Sequence, residues 1–171
     1  VIADETPERL NLFIGISKSR SVYKGTDIML RAAEAVKKDY PDRLNLTVVC
    51  GLPFAEYVRR MLGSDAIMDQ LYSYTPSMNP LEAMAHGIIC IGGGEPENYE
   101  IIHETSLHPI INVLPTYESC VKELTRLVNN LDLIPQLRRE SYEYVRKHHE
   151  YIKVAHQYEV FYRGLLREKE Y

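Results

Sequence analysis

Three short stretches hold the residues whose types and spacing can do chemistry. The first is SKSRSVYKG (17–25), a polar segment carrying three cations, Lys18, Arg20 and Lys24. The second is YTPSMN (74–79), which leads into LEAMA and so puts Ser77, Met78 and Asn79 at a helix start and Glu82 in its first turns. The third is GGGEPE (92–97), three glycines followed by a helix start that carries Glu97. Cations on one loop and free backbone N–H groups at a helix start together suit a phosphate or diphosphate. A carboxylate at Glu82 is an acceptor for two vicinal hydroxyls, such as those of a ribose, and LEAMA leaves it little polar face. Three glycines let a ligand approach the backbone closely.

Plainer accounts stand beside each of these. Lys18 and Arg20 also read as solvated loop side chains. The glycine run lacks GxGxxG spacing, and a tight turn explains it equally well. Glu97 reads as a first-turn acid serving the helix dipole.

The elements that must position these loops are legible from hydrophobic pattern. LNLFIGIS (10–17) and LNLTVVCG (44–51) are short, unbroken apolar runs, as expected of strands buried on both faces. SDAIMDQL, IICIG and PIINVLP predict three more, for a sheet of about five strands. Between them lie helices. TDIMLRAAEAVKKDY ends at Pro41, PFAEYVRRML is bracketed by Pro53 and Gly63, and LEAMA stops at Gly87. EPENYEIIHE follows, and then TYESCVKELTRLVNNL with Val121, Leu124, Val128 and Leu131 at helical spacing. From Ile134 onward everything reads as helix, with Val154, Tyr158, Phe161 and Leu165 on one stripe. Alternating strands and helices predict a Rossmann-like three-layer α/β/α domain around a parallel sheet. In such sheets ligands sit at the carboxyl ends of the strands.

The bulk numbers set limits. The 171 residues suit one domain (1–171), 45% apolar and 26% charged, with a formal charge of -4. A polyanion binder is basic, which argues against nucleic acid as a partner. No apolar stretch is long enough to cross a membrane. Cys50, Cys90 and Cys120 lack CxxC spacing and read as buried, reduced thiols of a cytoplasmic protein. The chain opens on Val1 rather than Met, and is read as a piece of something larger, with its first nine residues a connection from upstream.

Taken together, KGTD (24–27), the strand ending at Asp69, and above all PLEAMAHGIICIGGGEPE (80–97) resemble the C-terminal domain of the group-one retaining glycosyltransferases. These are GT-B enzymes with two Rossmann-like domains. The resemblance runs from Leu10 to about Tyr162. It implies that this domain binds a nucleotide-sugar donor, that a missing N-terminal domain binds a glycan or lipid-linked acceptor, and that residues 151–171 close back toward that domain. It assigns the diphosphate to Lys24, the ribose hydroxyls to Glu82 and a further acid role to Glu97. The arginine that the family carries after the first-strand glycine is absent, since Gly15 is followed by Ile16, and Arg20 is the substitute. The family's donor-sugar glutamate falls at Tyr74. Ser77, Met78 and Asn79 still offer N–H groups to the distal phosphate, and Asp69 and Gln70 are placed to take sugar hydroxyls. The family's additional strand-helix unit is missing between the second strand and SDAIMDQL.

The reaction so implied is glycosyl transfer with retention. No DxD-type pair is present, so no metal is expected, and Lys24 and Arg20 serve as the catalytic cations that neutralise the leaving diphosphate. The setting the family implies is surface polysaccharide or lipopolysaccharide synthesis in bacteria, in the cytoplasm or peripherally at the inner face of the membrane. The isolated domain is expected to bind donor weakly and to catalyse nothing. The alternative is a scaffold domain that kept the fold and lost the chemistry, favoured by Ile16 and Tyr74.

Overall fold

A computed structural model describes residues 2–17 and 19–168. Lys18, one of the three loop cations, lies outside the described residues. Four strands form one sheet: β1 (Leu10–Ile16), β2 (Leu44–Cys50), β3 (Ala66–Met68) and β4 (Ile89–Ile91). Their order is β2-β1-β3-β4 and every pairing is parallel. Register is set by Leu10 opposite Leu44, Leu12 opposite Ala66 and Ala66 opposite Ile89.

Helices cover both faces, because β1 is apolar on both. Leu10, Leu12 and Ile14 point to one face. There they meet Met29, Ala32, Ala33 and Val36 of α2 (Thr26–Asp39) and Cys120, Leu124, Leu127 and Val128 of α6 (Tyr117–Asn129). Phe13 points the other way, to Met61 of α3 (Phe54–Met61) and Ala83 of α4 (Met78–Ala85). That second face continues through Met84 and Cys90 to Tyr99 of α5 (Pro96–Ile101) and Tyr144 of α7 (Ile134–His148). The sheet is therefore the middle layer of an α/β/α sandwich.

Several expectations need correcting. PIINVLP does not form a fifth strand: Ile111 makes a single parallel bridge to Ile91, and the ladder goes no further. The loop after β1 holds a one-turn helix, α1 (Ser21–Lys24), too short for periodicity to reveal. The helical C-terminal part is two helices, α7 and α8 (Tyr151–Glu168), and along the final stripe Val154 is half-buried while Tyr158, Phe161 and Leu165 are exposed. Cys50 is exposed, whereas Cys90 and Cys120 are buried, and all three are free thiols. Among the described residues no helix is long and apolar enough to cross a membrane.

Candidate functional site

The first strand connects through α2 to β2 on one side, and the chain then returns through α3 to β3 on the other. The strand order thus reverses between β1 and β3. A crevice opens at such a reversal, outside the carboxyl ends of the two strands. Lys24 follows β1 into this crevice and Asp69 follows β3.

These two side chains form the centre of the site. The Lys24 ammonium reaches both oxygens of Asp69, at 2.9 and 2.8 Å. The lysine side chain is 18% exposed and the aspartate 4%. Two further donors converge on the same carboxylate, the Ser77 hydroxyl at 2.7 Å and the Asn79 amide at 2.9 Å. The second amide hydrogen of Asn79 goes to the Tyr57 hydroxyl oxygen at 2.8 Å. A buried carboxylate without partners is costly, and here four contacts compensate it.

Local sequence explains how these groups meet. Gly25 adopts φ 72°, which turns α1 directly into α2, and a Cβ there would strike Leu71 and Tyr72 within 3.2 Å. The Lys24 carbonyl accepts the Leu71 N–H at 2.9 Å, docking α1 onto the loop after β3. Helix α4 begins at Ser77 in an extended conformation, but its hydroxyl turns to Asp69 instead of capping the helix. Pro80 is tolerated because first-turn N–H groups have no helical partner anyway. Met78 and Asn79, in the first turn of α4, line the crevice, and the dipole at that end of a helix favours an anion. Gly87 closes the helix at φ 74°.

The crevice has two chambers that meet at Ser19, Lys24 and Asn79. One, of about 620 Å³, lies over Gly15, Ile16, Val49 and Tyr57. The other, of about 790 Å³, is walled by Arg20, Tyr23, Gln70, Ser77 and Met78. Each is in the range of small-molecule sites.

The structure therefore gathers Gly15, Arg20, Lys24, Asp69, Gln70, Ser77, Met78 and Asn79 around one crevice. Three of them are differently employed from what their types suggested. The Lys24 charge is already balanced by Asp69. Asp69, saturated by the chain's own donors, has no lone pair turned toward a sugar hydroxyl, and Gln70 donates to the Thr75 carbonyl at 3.2 Å. Arg20 is exposed at the chamber rim.

Three site residues lie outside the crevice lining. Glu82 is 53% exposed, contacts His86 at 3.4 Å and lines a neighbouring groove between α4, α7 and α8. It stands one turn, about 4.5 Å of rise, beyond Asn79 on α4. Met78 lines both the crevice and that groove. Tyr74 is 65% exposed on the loop before α4. Glu97 is exposed in the first turn of α5.

The glycine run packs against the protein itself, and Gly94 also lines a separate cavity with Pro96, Tyr99 and His108. A Cβ on Gly92 would meet the Gln70 carbonyl oxygen at 2.5 Å, one on Gly93 the Thr75 and Pro76 backbone at 2.9 Å, and one on Gly94 the Ile110 side chain at 2.9 Å. The run is a tight turn that lets the loop before α4 pack against it. Conversely, Tyr57 belongs to the site and had no sequence signal of its own. It sits on a helix read only from its Pro53 start and Gly63 stop, one turn after that start. No group of three His, Cys, Asp or Glu stands close enough to hold a metal ion among the described residues.

No protein-family model matches the chain, and no curated protein shows significant similarity to it.

Proposed function

We propose that this chain is the donor-binding domain of a retaining, metal-independent glycosyltransferase of the GT-B type, acting from a nucleotide-sugar onto a glycan or lipid-linked acceptor held by a separate N-terminal domain. The observation that carries the reading is the convergence of Lys24, Ser77 and Asn79 on Asp69 at the point where strand order reverses, with the first residues of α4 lining the same crevice. In this reading the diphosphate lies between Lys24, Arg20 and the first N–H groups of α4. The ribose passes over Met78 to Glu82, one turn along the helix. Departure of the nucleoside diphosphate is eased by those donors, fixed before the reaction begins. The helix α8 is the element that closes toward the N-terminal domain. The setting that goes with the resemblance is bacterial surface polysaccharide or lipopolysaccharide synthesis, in the cytoplasm or at the inner face of the membrane.

The test is a thermal-shift panel of UDP-, GDP-, ADP- and CMP-linked sugars. One nucleotide class is expected to raise the melting temperature, by about 2.7 kcal/mol of stabilisation at a hundredfold excess over Kd. Lys24→Ala is expected to remove that shift. Silence across the panel overturns the reading. A second reading, a scaffold domain without transfer chemistry, draws on one observation: the charge of Lys24 is already matched by Asp69, which leaves Arg20 as the free cation of the crevice among the described residues. Donor binding without any transfer or hydrolysis by the intact two-domain protein would favour that second reading.

A further inference from the structure

Tyr57 rests on the end of the first strand. A Cβ on Gly15 would lie 2.5 Å from its hydroxyl oxygen and 2.6 Å from a ring carbon. The glycine is therefore needed to seat the phenol. The ring stands edge-on to Phe13, with centroids 5.1 Å apart and planes at 88°. Its oxygen accepts from Asn79 Nδ2, which also donates to Asp69 Oδ1. A carboxylate only accepts, so the orientation of this amide is fixed, and the phenol is the acceptor in its contact with Asn79. The phenolic proton is left over. Among the described residues nothing accepts it, and Tyr57 lines the chamber over Gly15 beside Lys24. Burial raises the pKa of the phenol, so it keeps this proton at neutral pH.

We propose that Tyr57 is a ligand-binding residue of the crevice, donating its phenolic hydrogen bond to a phosphate oxygen of the ligand above Gly15. This rests on the nucleotide-sugar reading. Lys24 is tied to Asp69, and Ile16 brings no charge to the end of β1. A neutral donor, oriented by Asn79 and by the seat on Gly15, supplies that corner of the crevice. The network Lys24–Asp69–Asn79–Tyr57 then acts as a unit: the buried carboxylate aims an ammonium into the region where the two chambers meet and, through Asn79, a hydroxyl into one of them.

The experiment is calorimetric titration of the chain with UDP, GDP, ADP and CMP, repeated with inorganic pyrophosphate. Tyr57→Phe keeps the ring and its packing on Phe13 and removes the hydroxyl, which is both the spare donor and the acceptor of the Asn79 amide. It is expected to weaken the nucleotide that binds by about tenfold, as for a hydrogen bond to an anion, while the unliganded melting temperature falls only by what the one lost Asn79 hydrogen bond contributes. Gly15→Ala unseats the phenol and is expected to reproduce the loss. Unchanged affinity in Tyr57→Phe overturns the assignment of Tyr57 and leaves the nucleotide-sugar reading standing. Failure of the unmutated chain to bind any of the five probes overturns both.

Discussion

Glu104 shows how far a single side chain can bear on this fold away from the crevice. Its carboxylate is buried and takes Lys147 at 2.5 Å, His148 at 2.6 Å, and the N–H groups of Ser106 and Leu107 at 2.9 and 3.1 Å. It thereby joins the end of α5 to the end of α7. The Lys147 ammonium first, then His148 and the Ser106 N–H, hold its pKa well below the usual carboxylate range. A carboxylate depressed in the folded state contributes stability above its unfolded pKa of about 4.3, lost as pH falls through the folded value. His149 acts in a higher window. Burial, then the neighbouring His148, lower its pKa, so the folded state favours the neutral ring. Below about 6.5 the unfolded chain takes the proton first, and stability declines with acid. Urea unfolding across pH 4 to 8 is therefore expected to show a decline that begins below about pH 6.5, and His149→Gln should flatten that upper part. Glu104→Gln at pH 7 should cost about 3 kcal/mol, because Lys147 and His148 lose the anionic partner they share. In a melting experiment that is a shift on the order of 10 °C.

At the scale of elements, the turn after β4 decides where the sheet ends and how the crevice is walled. Gly92 and Gly93 adopt φ 102° and 77°. The strand ladder stops there, so Ile111 finds partners only at Cys90 and Gly92. That is why PIINVLP looks like a strand in sequence and makes one bridge in the fold: Ile110, Ile111 and Val113 are buried, but the neighbouring strand turns away. The strands β1, β3 and β4 were readable because burial on both faces forces apolar runs, whereas β2, read the same way, is an edge strand with Asn45, Val48 and Cys50 exposed. The cation loop, the Asp69 position and the α4 start were readable from residue type. Two things were not. The pairing of Lys24 with Asp69 joins residues 45 apart in sequence, and the role of the glycine run depends on what lies across from it. Gly93→Ala puts a side chain into a left-handed conformation, at about 1 kcal/mol or more, and pushes on the Thr75–Pro76 backbone. The loop ahead of Ser77 should shift, lowering both melting temperature and nucleotide affinity. An unchanged melting temperature would show that the loop does not depend on this turn.

Across the whole molecule, the two ends of the sheet carry different loads. At the carboxyl edge sits the crevice. At the amino edge, Asp65 precedes β3 and accepts the backbone N–H of Asn11 at 2.8 Å and its side-chain amide at 2.9 Å, while its other oxygen takes Arg138 of α7. Arg138 also donates to the carbonyl of Glu5 at 3.0 Å, and Arg139 pairs with Asp4. One helix thus ties the N-terminal segment, the first strand and the third together at the edge opposite the site. Arg138→Met removes the cation from a buried carboxylate that keeps only its Asn11 donors, a loss of about 3 kcal/mol. It should also release residues 3–8 to limited proteolysis, since their carbonyls lose a donor. Sites more than 7–10 Å apart with no shared partner contribute independently, so nucleotide affinity at the opposite edge should stay within about twofold of the parent. A matching fall in affinity would mean that the crevice and the amino edge are coupled through β1 and β3, and that the shape of the Lys24–Asp69 pair depends on strand registration as well as on its own four contacts.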